Sequence, residues 1–208
     1  QRWTIKFQDL LLRVIAHFSR EPVLLRAFEE DQDPLAKTMA LLDVETEMQA
    51  MALILWTMVG FDTTAVMEKA PDYYPYLTVT QEASYKALCE EKLVVLANSF
   101  SEYKQVFERD RSLTTLYGVR VGVNRHVSEA VADLYFRSEQ ELLDVCAAAF
   151  WNDEEITIAG IGWGQRTSSV NGWVEGDRAT WHDVISQVGQ SVDAHLSVKP
   201  NSSLFWVD

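Results

Sequence analysis

Leu11, Leu12, Ile15 and Phe18 recur at helical spacing near the start of the chain, within LLLRVIAHFSREPVLLRAFEEDQDP (10–34). A Ser-Arg-Glu-Pro break follows. Pro22 then suits the first turn of a second helix, which carries Leu24, Leu25 and Phe28. Arg13 and His17 share one face inside the first apolar run. By spacing alone they read as a snorkelling arginine and a satisfied core histidine.

The same periodicity continues for two-thirds of the chain. Asp33-Pro34 starts a short helix through Leu42, and Asp43 caps a longer one from Val44 to about Val59, ended by Gly60. KAPDYYPYLT (69–78) reads as an exposed loop. Residues 80 to 111 predict one long amphipathic helix, with Tyr85, Leu88, Cys89, Leu96 and Phe100 turned inward. TTLYGVRVGV (114–123) reads as strand or turn, and Val127 to about Ala147 as another helix. The pattern then changes. An apolar run, a polar break and alternating Ile156, Ile158 and Ile161 predict a hairpin, with Asp153, Glu154 and Glu155 at its turn. GQRTSSVNGWVEGD (164–177) reads as loop, Thr180 with Asp183 as a capping box for a helix to about His195, and LSVKP (196–200) as a short closing strand. The fold class is α+β, with helices packed on a small antiparallel sheet.

The length of 208 residues suits one large domain or two small ones, and 48% hydrophobic with 24% charged residues is ordinary for a globular protein. No apolar run is long enough to span a bilayer, and MALILWTMVGF (51–61) reads as a core helix. No basic-then-apolar leader is present. Cys89 and Cys146 stand in unrelated segments, so the expectation is reduced thiols and an intracellular protein with no membrane partner. The first residue is Gln, which suggests a processed form or an excised fragment. The net charge of −13 opposes close approach to a phosphate backbone, so any contact with DNA is expected to be weak.

Candidate chemistry is sparse. His17, His126, His182 and His195 lie far apart and share no ligand spacing with either cysteine. His182-Asp183 reads as the first turn of a helix, and no Gly-x-Ser-x-Gly elbow accompanies it. GIGWGQRTSS lacks the Lys-Ser/Thr ending of a phosphate-cradling loop. Asp153, Glu154 and Glu155 admit two readings, a solvated turn or carboxylates held as metal ligands.

Taken in order, the opening stretch, TLYGVRV, AVADL, NDEE and the closing LSVKPNSSLFWVD resemble the palm and fingers of a family A DNA polymerase, the class of bacterial polymerase I. In that family a strand ends in Asp, an Asp-Tyr-Ser-Gln-Ile-Glu-Leu-Arg run enters a helix, and Ala-His-x-Ser closes it. Leu12, Arg13, Ala16, His17 and Ser19 match it, as do Leu24, Leu25, Phe28 and Asp33 downstream. Thr115, Leu116, Gly118 and Arg120 match the Thr-Leu-x-Gly-Arg-Arg segment. Ala132, Asp133 and Leu134 match an Ala-Ala-Asp-Leu helix, while Val198 and Trp206 take the places of the family's closing strand. The resemblance implies one domain over 1–208, with palm strands near 1–9 and 148–208 and a helical fingers-like part at about 34–112. It also implies that strands 3–9, 155–161 and 196–200 share one antiparallel sheet, with helix 10–18 leaving its edge. Arg13, His17, Arg120 and Asp133 become framework residues.

The departures fall on the chemistry. Alignment on Arg13 puts Lys6 where the family's metal-binding Asp stands, and Leu11 where its ribose-sensing Glu stands. Met51 and Val59 replace the Lys and Tyr of the fingers helix, with Gly60 retained. The His-Asp-Glu motif survives in part, as Asn152-Asp153-Glu154. A protonated lysine cannot ligate Mg²⁺, and two-metal phosphoryl transfer needs both carboxylates. The expectation is therefore a catalytically inactive palm with no cofactor, kept as a protein-interaction or scaffold subunit in a replication or repair assembly. Its protein partners would meet Tyr73, Tyr74, Tyr76, Phe205 and Trp206. Two alternatives stand beside it. One is a divergent polymerase fragment that holds Mg²⁺ through Asp153, with Asp9 or a partner chain supplying the second carboxylate. The other is a helical regulatory scaffold unrelated to DNA.

Overall fold

The structure is a computed structural model that describes the chain except Gln81, Gln165, Pro200 and Asp208, and except the side chains of Val79 and Thr80. It is an α+β arrangement with a small antiparallel four-stranded sheet. The chain divides into two compact units, one made of Gln1–Val14 with Glu139–Asp208 and the other of Ile15–Ser138.

The first unit holds the sheet. Strands β1 (Arg2–Gln8), β4 (Ile156–Gly162), β5 (Thr167–Val174) and β6 (Ser202–Val207) lie in the order β4-β5-β1-β6, and every neighbouring pair is antiparallel. Alternation along β1 sends Trp3, Ile5 and Phe7 into the core and leaves Arg2 and Lys6 exposed. Gly172 stands opposite Trp3 in the register, and a Cβ there would come within 2.3 Å of the indole. Glycine at that place leaves the room the ring occupies against β5. The Trp3 indole also meets Phe150, with ring centroids 5.2 Å apart. Helix α10 (Arg178–Asp193) covers the same face, and its Gly189 lies close enough to Ile5 that a Cβ would fall 2.8 Å from Ile5 Cγ2.

The second unit is mostly helical. Helix α1 (Leu10–Ser19) and helix α9 (Val127–Ala148) are the two elements that run through the unit boundary. Between them come α2 (Pro22–Glu29), α3 (Pro34–Leu42), α4 (Glu47–Met58), α5 (Thr63–Lys69), α6 (Tyr74–Thr80), α7 (Ala83–Lys92) and α8 (Val94–Asp110), then a small hairpin of β2 (Leu113–Thr114) and β3 (Arg120–Val121). Asp33 caps α3 by accepting from the Leu35 and Ala36 amides. Glu21 joins two helices, since one carboxylate oxygen accepts from Val23 N at 3.2 Å and the other from Leu96 N at 2.8 Å. Helix α4 is buried at every position from Ala50 to Met58, as a helix apolar on all sides must be. Among the described residues no single helix is long and apolar enough to cross a membrane.

Several elements differ from the sequence expectations. Asp43 is not an N-cap; it takes a left-handed conformation (φ 51°) that ends α3, and Thr46 with Gln49 forms the capping box of α4. The stretch read as a tyrosine-bearing loop is helical, because Pro71 and Pro75 sit in first turns, where a missing N–H costs nothing. The helix expected over 80–111 breaks at Leu93 into α7 and α8; Cys89 and Leu96 are buried, whereas Tyr85, Leu88 and Phe100 are half-buried. Helix α9 continues to Ala148, so Asp153 lies in a helix-to-strand turn, and the sheet hairpin is β4–β5 instead. β5 occupies the segment read as loop. Its inward positions, Ser168, Val170, Gly172 and Val174, are too small and polar to display alternation. Asp177 is the N-cap of α10, earlier than the expected capping box at Thr180 and Asp183. Residues 196 to 198 are bends, Lys199 has no regular structure, Pro200 lies outside the described residues, and the closing strand is β6. Helix α1 leaves the end of an inner strand, not a sheet edge.

Candidate functional site

The positions that sequence reasoning compared with the family's catalytic carboxylates, Lys6, Asp153 and Glu154, all belong to the first unit. Lys6 is exposed in the middle of β1, opposite Ser169 and Ser203, with its Nζ 4.6 Å from the centroid of the Phe205 ring. Asp9 follows the strand in a left-handed conformation (φ 52°), which Asp tolerates better than most residues. Its carboxylate is buried and takes two hydrogen bonds from one guanidinium, Arg166 Nε to Oδ1 at 2.9 Å and Arg166 Nη2 to Oδ2 at 2.9 Å. The Asp9 amide in turn donates to the Arg166 carbonyl at 2.7 Å, so the end of β1 and the β4–β5 connection are tied together. Such a two-point fork is the strongest common geometry for a carboxylate and an arginine.

Arg13 ties the following helix down. Its Nε donates to the Gln8 carbonyl at 3.0 Å, and its Nη1 donates to the Lys199 carbonyl. Buried Asp193 lies within Arg13's electrostatic reach. Burial pushes its carboxyl upward, and amides from Asn201 and Ser202 with the Arg13 charge pull the other way.

Asp153 stands at the far end of the sheet. It is half-buried, and its Oδ1 accepts from Glu155 N at 3.0 Å, closing a local turn. Glu154 is exposed. β4 begins at Ile156 opposite Val174, whereas Asp9 lies beyond Gln8 and its partner Thr167. Roughly seven strand residues separate the two ends, about 20 Å at strand rise. Carboxylates that share a Mg²⁺ each place an oxygen about 2.1 Å from it. Asp9 and Asp153 do not fit a common metal, and each Asp9 carboxylate oxygen already accepts a hydrogen bond from Arg166. Among the described residues no group of three or more His, Cys, Asp or Glu side chains is placed to hold a metal ion.

The remaining residues lie in the second unit or along β6. His17 is half-buried on α1, beside the Phe18 ring, and its pKa is lowered by burial first and by the Arg20 charge second. Arg120 donates through Nε to Ser112 Oγ at 3.0 Å, within the β2–β3 hairpin region. Asp133 on α9 pairs with Lys69 and lies 3.9 Å from Arg125. Met51 within α4 and Val59 just after it are core residues, and α4 has no exposed position from 50 to 58, so it offers no cationic surface for a triphosphate. Leu11 is half-buried. Tyr73 is buried, which overturns its expected exposure, while Tyr74 and Tyr76 are half-buried. Phe205 is 46% exposed, and Trp206 donates from Nε1 to His182 Nδ1 at 3.1 Å.

The polymerase domain of Pol1 from M. smegmatis, solved in complex with DNA primer-template and dNTP, superimposes with a TM-score of 0.68 at 13% identity; the match covers 98% of this chain and 38% of that one. The fold is polymerase-like. At that identity the likeness is one of fold, and the chain spans little more than a third of the protein it matches. No sequence profile of a known family matches the chain, and no curated protein does.

Within this polymerase-like fold, three features escaped sequence reasoning. Arg166 sits in a Gly- and Ser-rich run, 157 residues from the aspartate it clamps, and no local pattern joins them. Glu139 looks like one more acid on a surface helix, yet it is buried, accepts from Ser168 Oγ at 3.0 Å, and burial pushes its carboxyl up to about 7. The third is the outward face of the sheet, where Trp173 is 51% exposed.

Proposed function

We propose that this chain is a polymerase-like domain that does not add nucleotides and serves as a protein-interaction module in a larger, DNA-processing assembly. The observation that carries the reading is the Asp9–Arg166 fork together with Lys6 on β1. The buried Asp9 carboxylate just after β1 is held by an arginine, and the position expected to bear the metal-binding Asp carries a cation. Further support comes from α4, which contains no Lys or Arg and is buried from Ala50 to Met58, leaving no cation there to grip a triphosphate. Catalysis of phosphoryl transfer is mostly positioning and charge stabilisation, and neither has a donor set here. Partner-contacting residues are taken to include Tyr74 and Tyr76 in the second unit and, separately, Phe205 and Trp206 in the first; Tyr73 drops out because it is buried.

The test is primer extension. Purified protein with a primer-template, the four deoxynucleotides and Mg²⁺ or Mn²⁺ gives no extended product over hours at micromolar enzyme. Extension that is abolished by Asp153→Ala or Asp9→Asn overturns the reading in favour of a divergent polymerase.

A further inference from the structure

The four strands of the sheet contain no Asp or Glu, in a chain where acids outnumber bases 31 to 18. The outward face of β1 carries two cations, Arg2 and Lys6. Among the described residues neither has a carboxylate within ion-pair distance, although Lys37, Lys69, Arg109, Arg125 and Arg166 all do. Each leans on an aromatic ring instead, Lys6 over Phe205 at 4.6 Å and Arg2 over Trp173 at 5.9 Å. Arg178, from the start of α10, lies 5.8 Å from the Trp206 ring. Arg2 and Arg178 share a shallow recess of about 290 Å³ with Gln1, Trp173 and Val207.

β6 borders this face and is an edge of the sheet. Among the described residues, Ser203–Val207 make no backbone hydrogen bonds beyond the ladder to β1. Alternate N–H and C=O groups therefore point outward unpaired. Edges of this kind are ordinarily blunted by a charge, a proline or a bulge. SLFWV has none of these.

We infer that β6 accepts an extended acidic peptide as a fifth strand, with its carboxylates on Lys6 and on the Arg2–Arg178 recess. The register sets the motif. Lys6, Thr4 and Arg2 stand opposite Ser203, Phe205 and Val207, so successive outward positions of an added strand fall beside a serine, an exposed phenylalanine and a valine, with the long side chains of Lys6 and Arg2 reaching across from β1, about 10 Å away. The matching peptide reads acid-x-apolar-x-acid, with its two carboxylates about 13 Å apart at strand rise. Backbone pairing supplies binding and the alternate side chains supply selectivity. A single-stranded nucleic acid is the poorer fit. It cannot satisfy an open strand edge, and the rings that would stack on bases already carry cations. The net charge of −13 does not forbid an acidic ligand, because at physiological salt charges beyond about 8 Å are screened and the local cations decide. The inference rests on the interaction-module reading and names its partner class.

The experiment is fluorescence anisotropy at about 0.15 M salt with the labelled peptide Gly-Ser-Glu-Thr-Leu-Thr-Glu-Ser-Gly. Saturable binding is expected, weakened at least about tenfold by Lys6→Glu or Arg2→Glu in protein that retains its wild-type circular dichroism. Changing both peptide glutamates to lysine, or a central threonine to N-methylthreonine, is expected to abolish binding without touching the protein's fold. Equal binding of the lysine peptide overturns the inference. So does a ten-nucleotide oligothymidylate that binds more tightly than the peptide, or self-association through β6 seen by light scattering at the same protein concentration. Peptide binding lost while primer extension is also absent sinks the edge site alone; extension activity sinks the module reading whatever the peptide does.

Discussion

Breaking the Asp9–Arg166 pair gives a measurable stability change. Asp9 has 5% of its side chain exposed and Arg166 has 24%, with both hydrogen bonds at 2.9 Å. Removing one member of a fully buried pair costs about 3–5 kcal/mol, and an exposed pair is worth below about 1 kcal/mol. Arg166's partial exposure places the coupling between those limits, at about 2 kcal/mol. Asp9→Asn is the right perturbation. Asn tolerates the left-handed backbone at this position, so the change tests charge and the second acceptor without adding strain. The assay is urea unfolding at pH 7, followed by circular dichroism, on wild type, Asp9→Asn, Arg166→Met and the double variant. With an m-value of about 2 kcal/mol per molar, each single variant shifts the midpoint down by about 1 M. The double variant loses much less than the sum of the two. Coupling below about 0.5 kcal/mol refutes the claim that the fork is what occupies this carboxylate.

Glu139 sets a pH dependence: its folded carboxyl titrates near 7 against an ordinary 4.5, so between those values the folded protein keeps a proton that the unfolded chain has released. Stability is full below the unfolded value and falls as pH rises toward 7, by about 3 kcal/mol from this group. Glu139→Gln should gain on wild type across that window, and a difference that stays flat with pH contradicts the burial argument. Gly172→Ala puts a Cβ 2.3 Å from the Trp3 ring and 2.7 Å from the Thr157 carbonyl, which should cost about 1–3 kcal/mol in the same urea assay; a cost below about 0.5 kcal/mol means the indole has room to move. Burial raises the Cys89 thiol to about 11 and the Cys146 thiol to about 12, so neither should react with a thiol reagent at pH 8 until urea unfolds the protein.

Legibility in the sequence followed the kind of signal. Helices with a cap and a clear apolar stripe, such as α3 behind Asp33-Pro34 and α9 from Val127, were readable nearly to their ends. β5 was not, because Ser168 and Gly172 face the core and small residues carry no hydrophobic alternation. The prolines at 71 and 75 pointed to a loop by composition, whereas their places in first turns make them helix starters. For the site, the loss of the family carboxylate at Lys6 could be seen in one line of sequence. The identity of what replaces it could not, since Asp9 and Arg166 meet only when β1 and β5 pair. The same holds for Phe205 and Trp206. Their composition suggested an interface, but that Lys6 and Arg178 stand over them follows from register and from the placement of α10.

The most direct measurement of the central claim is a Mn²⁺ titration followed by electron paramagnetic resonance, with and without a deoxynucleoside triphosphate. The geometry of Asp9, Arg166 and Asp153 predicts no protein site tighter than about millimolar, and no change in the free-ion signal on Asp9→Asn or Asp153→Asn. A saturable site in the micromolar range that both substitutions remove would contradict the account, because it would place the two carboxylates on one ion.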